Sequence, residues 1–187
     1  MKRTAVSLAL NIAARKSVRA YLDKGVNDKD VQAIVEAGRW APNHGEFHLA
    51  VVRNPEVRRR LNDTAHNAMK ESGVEFLQMR AALPGYQPLY GAPVVILVSG
   101  PADSPSTVIN CSLAACNMLL QATELGLGSC FVVTPALALR ADDTLAGEAG
   151  IPEGHEFVCA VLVGHSAPTD PFSNPEREPK GSVGYVD

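Results

Sequence analysis

The chain has 187 residues, 46% of them apolar and 20% charged, with 17 basic against 20 acidic side chains and a net charge of −3. That length suits one domain and lets the chain bury roughly 70% of its unfolded surface. The acidic balance excludes a nucleic-acid binder that works through a broad basic face, and no stretch reaches the ~20 apolar residues of a membrane span.

Val6, Leu8, Ala9, Ile12 and Ala13 share one face across residues 4–14 and predict a first helix. Lys2 and Arg3 ahead of this run give it a faint signal-peptide character, but Asn11 breaks it, so the helix is the reading adopted and the expected compartment is the cytoplasm. Arg15, Lys16 and Arg19 then arrive within five residues, with Ser17 among them. Guanidinium pairs bidentately with phosphate and a serine hydroxyl adds one more hydrogen bond, so the cluster reads as a local site for a small anion. The alternative is a solvated basic turn paired with Asp23, Asp28 or Asp30.

A second helix follows: Asn27 or Asp28 can cap it, and Val31, Ile34, Val35 and Gly38 line one face before Pro42 limits its run. Residues 47–53, FHLAVVR, predict a strand. Pro55 opens a polar helix to Glu71 with Val57, Leu61, Ala65 and Met69 at helical spacing, and a shorter helical piece covers 74–82. The Pro-, Gly- and Tyr-rich stretch 82–93 is a loop, and VVILVS after it fits a strand buried on both faces. Residues 107–126 form the most apolar helix, apolar nearly all round, which places it at the centre or at a subunit interface. Gly126 and Gly128 are expected to terminate it. SCFVVT is a strand, 137–149 a helix, and 155–165 a long strand. The tail 166–187 has four prolines and few apolar residues, so it either lies along something else or stays without structure. The late first strand and the irregular order predict an α+β domain with a central sheet covered by helices.

Cys111, Cys116, Cys130 and Cys159 form no CxxC pair, and Cys130 and Cys159 sit in apolar strand-like runs, so they read as buried free thiols and no metal site is expected. His66 and His155 read as surface residues. In GLGSCF, Phe131 stands where a dinucleotide fingerprint wants its third glycine, and the stretch leads into a strand, so a Rossmann site is excluded. The chain has no Walker A sequence, no GxSxG and no HExxH.

Four further stretches accompany the basic cluster: RWAPNHG at 39–45, GAPVVILV at 91–98, the long apolar helix leading into GLGSCFVV, and PEREP at 175–179 after the VLVGH strand. In this order and spacing they closely resemble the nitroreductase family of FMN-dependent oxidoreductases, from about residue 8 to residue 186. The resemblance implies an α+β fold with a central mixed sheet flanked by helices. It also implies an intertwined homodimer with FMN at the subunit interface, each single 187-residue domain extending residues 166–187 over its partner. Arg15 and Ser17, with Lys16 alongside, match the family's phosphate and ribityl contacts. Arg19 matches the basic residue near the flavin's pyrimidine edge, where a fixed cation favours the charge that reduction brings. Pro42, Asn43 and His44, flanked by Trp40, match the segment that reaches the flavin from the partner subunit. Val132, Val133 and Thr134 take the place of the turn whose backbone approaches flavin N5, and Arg177 matches a C-terminal phosphate contact.

The implied activity is electron transfer from NADH or NADPH to a small nitroaromatic, quinone or enone acceptor by a ping-pong mechanism, with no side chain named as catalytic because the flavin carries the chemistry. The alternative is a flavin-binding or flavin-modifying protein of the same fold. The chain departs from the family pattern in lacking glycines at 132–134 and in having FHLAVV, without Trp or Pro, after the Asn43–His44 segment.

Overall fold

A computed structural model describes residues 7–173 and 178–186. Its elements, in chain order, are α1 (Leu8–Ala14), α2 (Asp28–Arg39), β1 (His48–Val52), α3 (Pro55–Glu71), α4 (Glu75–Ala81), β2 (Val94–Pro101), α5 (Thr107–Glu124), β3 (Gly128–Val132), α6 (Pro135–Ala141), α7 (Thr144–Glu148) and β4 (His155–Gly164). The helix starts follow local chemistry. Asn27 caps α2 by accepting from the Asp30 N–H at 2.9 Å, and Asn54 caps α3 by accepting from the Glu56 N–H at 2.9 Å. At the far end of α5, Gly126 takes φ 73°, a left-handed value that lets the Leu127 N–H reach back to the Ala122 carbonyl. Gly128 does not end the helix; it opens β3.

The sheet has the order β1-β2-β4-β3, and each neighbouring pair is antiparallel. A parallel bridge between Ser17 and Ser129 extends it beyond β3. Because successive strand residues face opposite ways, the unbroken apolar runs of β2 and β4 supply two cores. Val94, Ile96, Val98, Cys159, Val161 and Val163 meet Ile34 of α2 and Cys111, Ala115 and Met118 of α5. Val95, Leu97, Ala160 and Leu162 meet Leu61 and Ala65 of α3, Ala138 of α6 and Leu145 of α7. Each fully buried aliphatic side chain contributes about 1.5–3 kcal/mol. Gly38 makes the α2–α5 crossing possible, since a Cβ there would stand 2.9 Å from Met118 Cγ.

The structure corrects the sequence reading at further places, including Cys116, expected buried and found exposed. The predicted helix over 137–149 is two helices, because Asp142 takes an extended conformation and accepts from the Thr144 N–H and hydroxyl at 3.0 and 2.7 Å, folding a turn between them. His66 is half-buried, with Nε2 2.9 Å from the Ala81 carbonyl, and His155 is half-buried with its ring edge-on to His48 at 6.2 Å. The outer face of α5 stays open in one chain, with Val108, Ile109, Leu113 and Cys116 exposed. Cys111, Cys130 and Cys159 are buried; burial pushes the Cys111 thiol up to about 11 and that of Cys159 to about 12. Among the described residues no helix is long and apolar enough to cross a membrane.

Candidate functional site

The basic cluster is laid down as an extended strip. Asn11, buried in α1, donates from Nδ2 to the Leu120 carbonyl at 3.1 Å and so fixes α1 on the C-terminal half of α5. Arg15 caps α1, its N–H donating to the Asn11 carbonyl at 3.0 Å. Lys16 is exposed. Ser17 then bridges Ser129, and the Val18 N–H donates to the Ser129 carbonyl at 2.9 Å. Gly128 is what lets the strip lie this close: a Cβ there would be 2.9 Å from Val18 Cγ1 and 2.5 Å from Ser166 Oγ. Further on, the Leu22 N–H donates to the His165 carbonyl and the Ala167 N–H to the Ala20 carbonyl, each at 2.9 Å. The strip is therefore stitched between β3 and the first residues of the tail.

Charge collects on this strip. Burial raises the Cys130 thiol; the positive charge of Arg19, a hydrogen bond from Ser17 and the more weakly felt charge of Arg15 oppose the rise, while Asp170 adds to it. The Arg19 N–H donates to Asp170 Oδ2 at 2.8 Å, and its Nη1 donates to the Phe172 carbonyl at 3.3 Å. Tyr21 is held neutral: burial first, then Cys130 and Asp170, push its phenol well above the usual range. The Tyr21 hydroxyl and Ser129 Oγ are buried with no hydrogen-bond partner among the described residues.

The second group lies elsewhere. Trp40 ends α2 with its side chain 78% exposed. Pro42, Asn43 and His44 are exposed in the loop that follows, with Asn43 Nδ2 donating back to the Ala41 carbonyl at 3.0 Å. Asn110 in the first turns of α5 holds this loop through the His44 main chain. A cavity of ≈ 260 Å³ opens there, lined by Pro42, Asn43, His44, Ile109, Asn110 and Leu113.

One chain does not bring the two groups together. The loop is tied to Asn110, whereas α1, which leads into the strip, is tied to Leu120, ten residues or ~15 Å further along α5. Val132 to Thr134 stand on the strip's side of the molecule, since Ser17 faces Ser129 and Val132 is ~10 Å further along the strand. Val132 is buried, Val133 is 55% exposed, and Thr134 Oγ1 donates to the Pro88 carbonyl at 3.2 Å. Arg177 lies outside the described residues. Sequence reasoning missed Asn110, Gly128 and Asp170. The signal for Asn110 was present: an amide in an otherwise apolar helix must find partners. Asp170 carried none, because its partner lies 151 residues away.

The protein-family model described as the nitroreductase family matches residues 12–165. The chain belongs to the nitroreductase family. Within that family it is similar to a protein of Archaeoglobus fulgidus provisionally named as an NADH dehydrogenase/NAD(P)H nitroreductase, 28% identical over 161 residues that cover 82% of each chain. A nitroreductase from Bacteroides fragilis, solved with bound FMN, superposes with a TM-score of 0.86 at 28% identity, covering 97% of this chain and 100% of that one. A nitroreductase from Desulfitobacterium hafniense, also with bound FMN, gives a TM-score of 0.82 at 27% identity over 96% and 97% of the two chains.

Proposed function

We propose that the protein is an FMN-dependent oxidoreductase that moves electrons from NADH or NADPH to a small oxidised acceptor. The observation that carries this reading is the basic strip beside β3, in a chain whose fold matches FMN-bearing nitroreductases over nearly its whole length. The residues present fit the cofactor. A phosphate needs convergent cations and hydroxyls; in an extended strip alternate residues share a face, so Arg15 and Ser17 can offer them together, with Lys16 exposed alongside. Ser129 Oγ, buried and unpartnered next to Ser17, is a further polar atom whose partner a ligand can supply. FMN, when bound, supplies the hydride and electron chemistry. The chain's own part is to hold the phosphate with Arg15, to place the Arg19 charge, to present the main chain of Val132–Thr134, and to admit donor and acceptor by turns.

The reading includes a homodimer. Ile109, Leu113 and Cys116 are exposed on α5, and Leu8, Leu10 and Ile12 on α1, which packs against α5. Exposed apolar side chains grouped on two neighbouring helices are the kind of surface that a partner covers. The outer edge of β1 carries no partner strand among the described residues, and Val183, Tyr185 and Val186 of the tail stand exposed. A two-fold pairing of α5 helices carries the Pro42–His44 loop of one protomer toward the basic strip of its partner, as a site shared between two chains requires.

The absorption spectrum of the purified protein, followed by anaerobic addition of NADH or NADPH, tests the proposal. A flavin spectrum that bleaches with the nucleotide, and recovers on adding a quinone or nitroaromatic, supports it. A protein that takes up no FMN overturns it, and bound flavin that neither nucleotide bleaches reduces the reading to a flavin carrier.

A further inference from the structure

The tail does not leave its own chain at once. Asp170 uses both carboxylate oxygens. Oδ2 accepts from the Arg19 N–H at 2.8 Å, and Oδ1 accepts from the Phe172 N–H at 3.0 Å. The turn this makes brings the Phe172 carbonyl to Arg19 Nη1. The Phe172 ring is itself seated, edge-on to Tyr86 at 5.8 Å and tilted against Tyr90 at 6.0 Å. Those two rings are fixed by Arg80, which lies 5.1 Å over Tyr86 and donates to the Tyr90 hydroxyl at 2.8 Å. Tyr90 holds its place in a left-handed turn at φ 51°, a backbone conformation an aromatic residue keeps only under constraint from its surroundings.

We infer that Asp170 and Phe172 form a latch that positions Arg19 toward the bound cofactor, an inference that rests on the FMN reading above. The arrangement separates two tasks. The acid binds the Arg19 main chain, and no ion pair joins it to the guanidinium; the side chain is oriented by a neutral carbonyl instead. Arg19 is thereby aimed by a neutral carbonyl, and among the described residues no carboxylate pairs with its guanidinium, which carries five N–H donors in all. Asp170 and Phe172 are positioning residues: the structure gives them contacts to Arg19 and the aromatic seat, and the effect on the cofactor passes through Arg19.

Two measurements decide this. The first uses apo-protein and hydrogen exchange. Asp170→Ala removes the acceptor, so the amides of residues 17–22 should exchange about tenfold faster, as expected for losing one charge-assisted hydrogen bond. The second uses the flavin midpoint potential in Phe172→Ala, which changes no charge. The potential should fall toward that of Arg19→Gln, and the same substitution made in the Arg19→Gln background should leave it unmoved. If Phe172→Ala does not fold, Phe172→Leu serves. An unchanged exchange rate overturns the latch. So does an unmoved potential, or a shift that persists without Arg19. If wild-type protein holds no FMN, the functional reading fails, and the exchange experiment still decides whether Asp170 holds the strip.

Discussion

Asn110 grips the His44 main chain from both sides: its Oδ1 accepts from the His44 N–H at 2.9 Å, and its Nδ2 donates to the His44 carbonyl at 3.2 Å. The amide is 2% exposed, and its side chain ties an otherwise exposed loop to α5. Asn110→Ala should cost about 1–3 kcal/mol in denaturant unfolding and lower FMN affinity, since it strands two backbone groups and frees the loop. Unchanged stability together with unchanged affinity would show that the loop is held by other means.

Arg19→Gln should leave oxidised FMN bound and lower the flavin midpoint potential. A nearby cation favours the electron-rich form, so removing it makes reduction harder. If the contact is worth about 1.5–3 kcal/mol, the shift for a two-electron couple is about 30–60 mV. Spectroelectrochemical titration checks it. A fixed potential with weakened binding would make Arg19 a phosphate or scaffold residue instead.

Gly128→Ala places a methyl 2.9 Å from Val18 Cγ1 and 2.5 Å from Ser166 Oγ. Val18 is tied to β3 through its N–H bond to the Ser129 carbonyl and Ser166 is bridged to Tyr21, so the strip has to move off β3, at a cost of about 1–3 kcal/mol. FMN affinity should fall with stability, because the strip carries Arg15 and Ser17. A variant as stable as wild type with normal affinity would mean that the strip's contact with β3 is not needed.

Asp142 joins α3 to α6 and α7 through Arg60, with Arg60 Nη2 2.6 Å from its Oδ2, and Arg60 also pairs with Glu148. Hydrogen bonds from Thr144, then Arg60, hold the Asp142 carboxyl below its ordinary value of 3.8. A depressed carboxylate stabilises the fold fully above its unfolded pKa and loses that contribution as pH falls through the folded one. Thermal melts of wild type should therefore drop as pH falls below about 4, and Asp142→Asn, weaker at pH 7, should show a smaller acid loss. Parallel acid profiles for the two proteins would remove Asp142 from the account.

The elements were legible where periodicity and caps agree. α2 was announced by the Asn27 cap and α3 by Pro55 and the spacing of its buried residues, α5 by its length and apolarity alone, since Ser106 makes no capping bond, while β2 and β4 are continuous apolar runs. The break at Asp142 was missed although Asp142, Asp143 and Thr144 favour turns over helix interiors, because the apolar periodicity on either side outweighed that local signal. The basic strip was visible as a charge cluster, but its placement depends on Gly128 and on residues 165–172, which meet it only in three dimensions. His155 was misjudged for the same reason: its surroundings, Ser99 and His48, come from other strands.

The central claim is that each FMN site is built from two chains, and one titration tests it most directly. Arg15→Ala should weaken FMN binding by about one to two decades, and His44→Ala carries its lesion on the opposite side of the shared site. Co-refolding the two variants and isolating the heterodimer yields one pocket with both lesions and one with neither. The account predicts one FMN site of wild-type affinity per heterodimer. Heterodimers that bind no FMN with wild-type affinity would show that each site is made by a single chain.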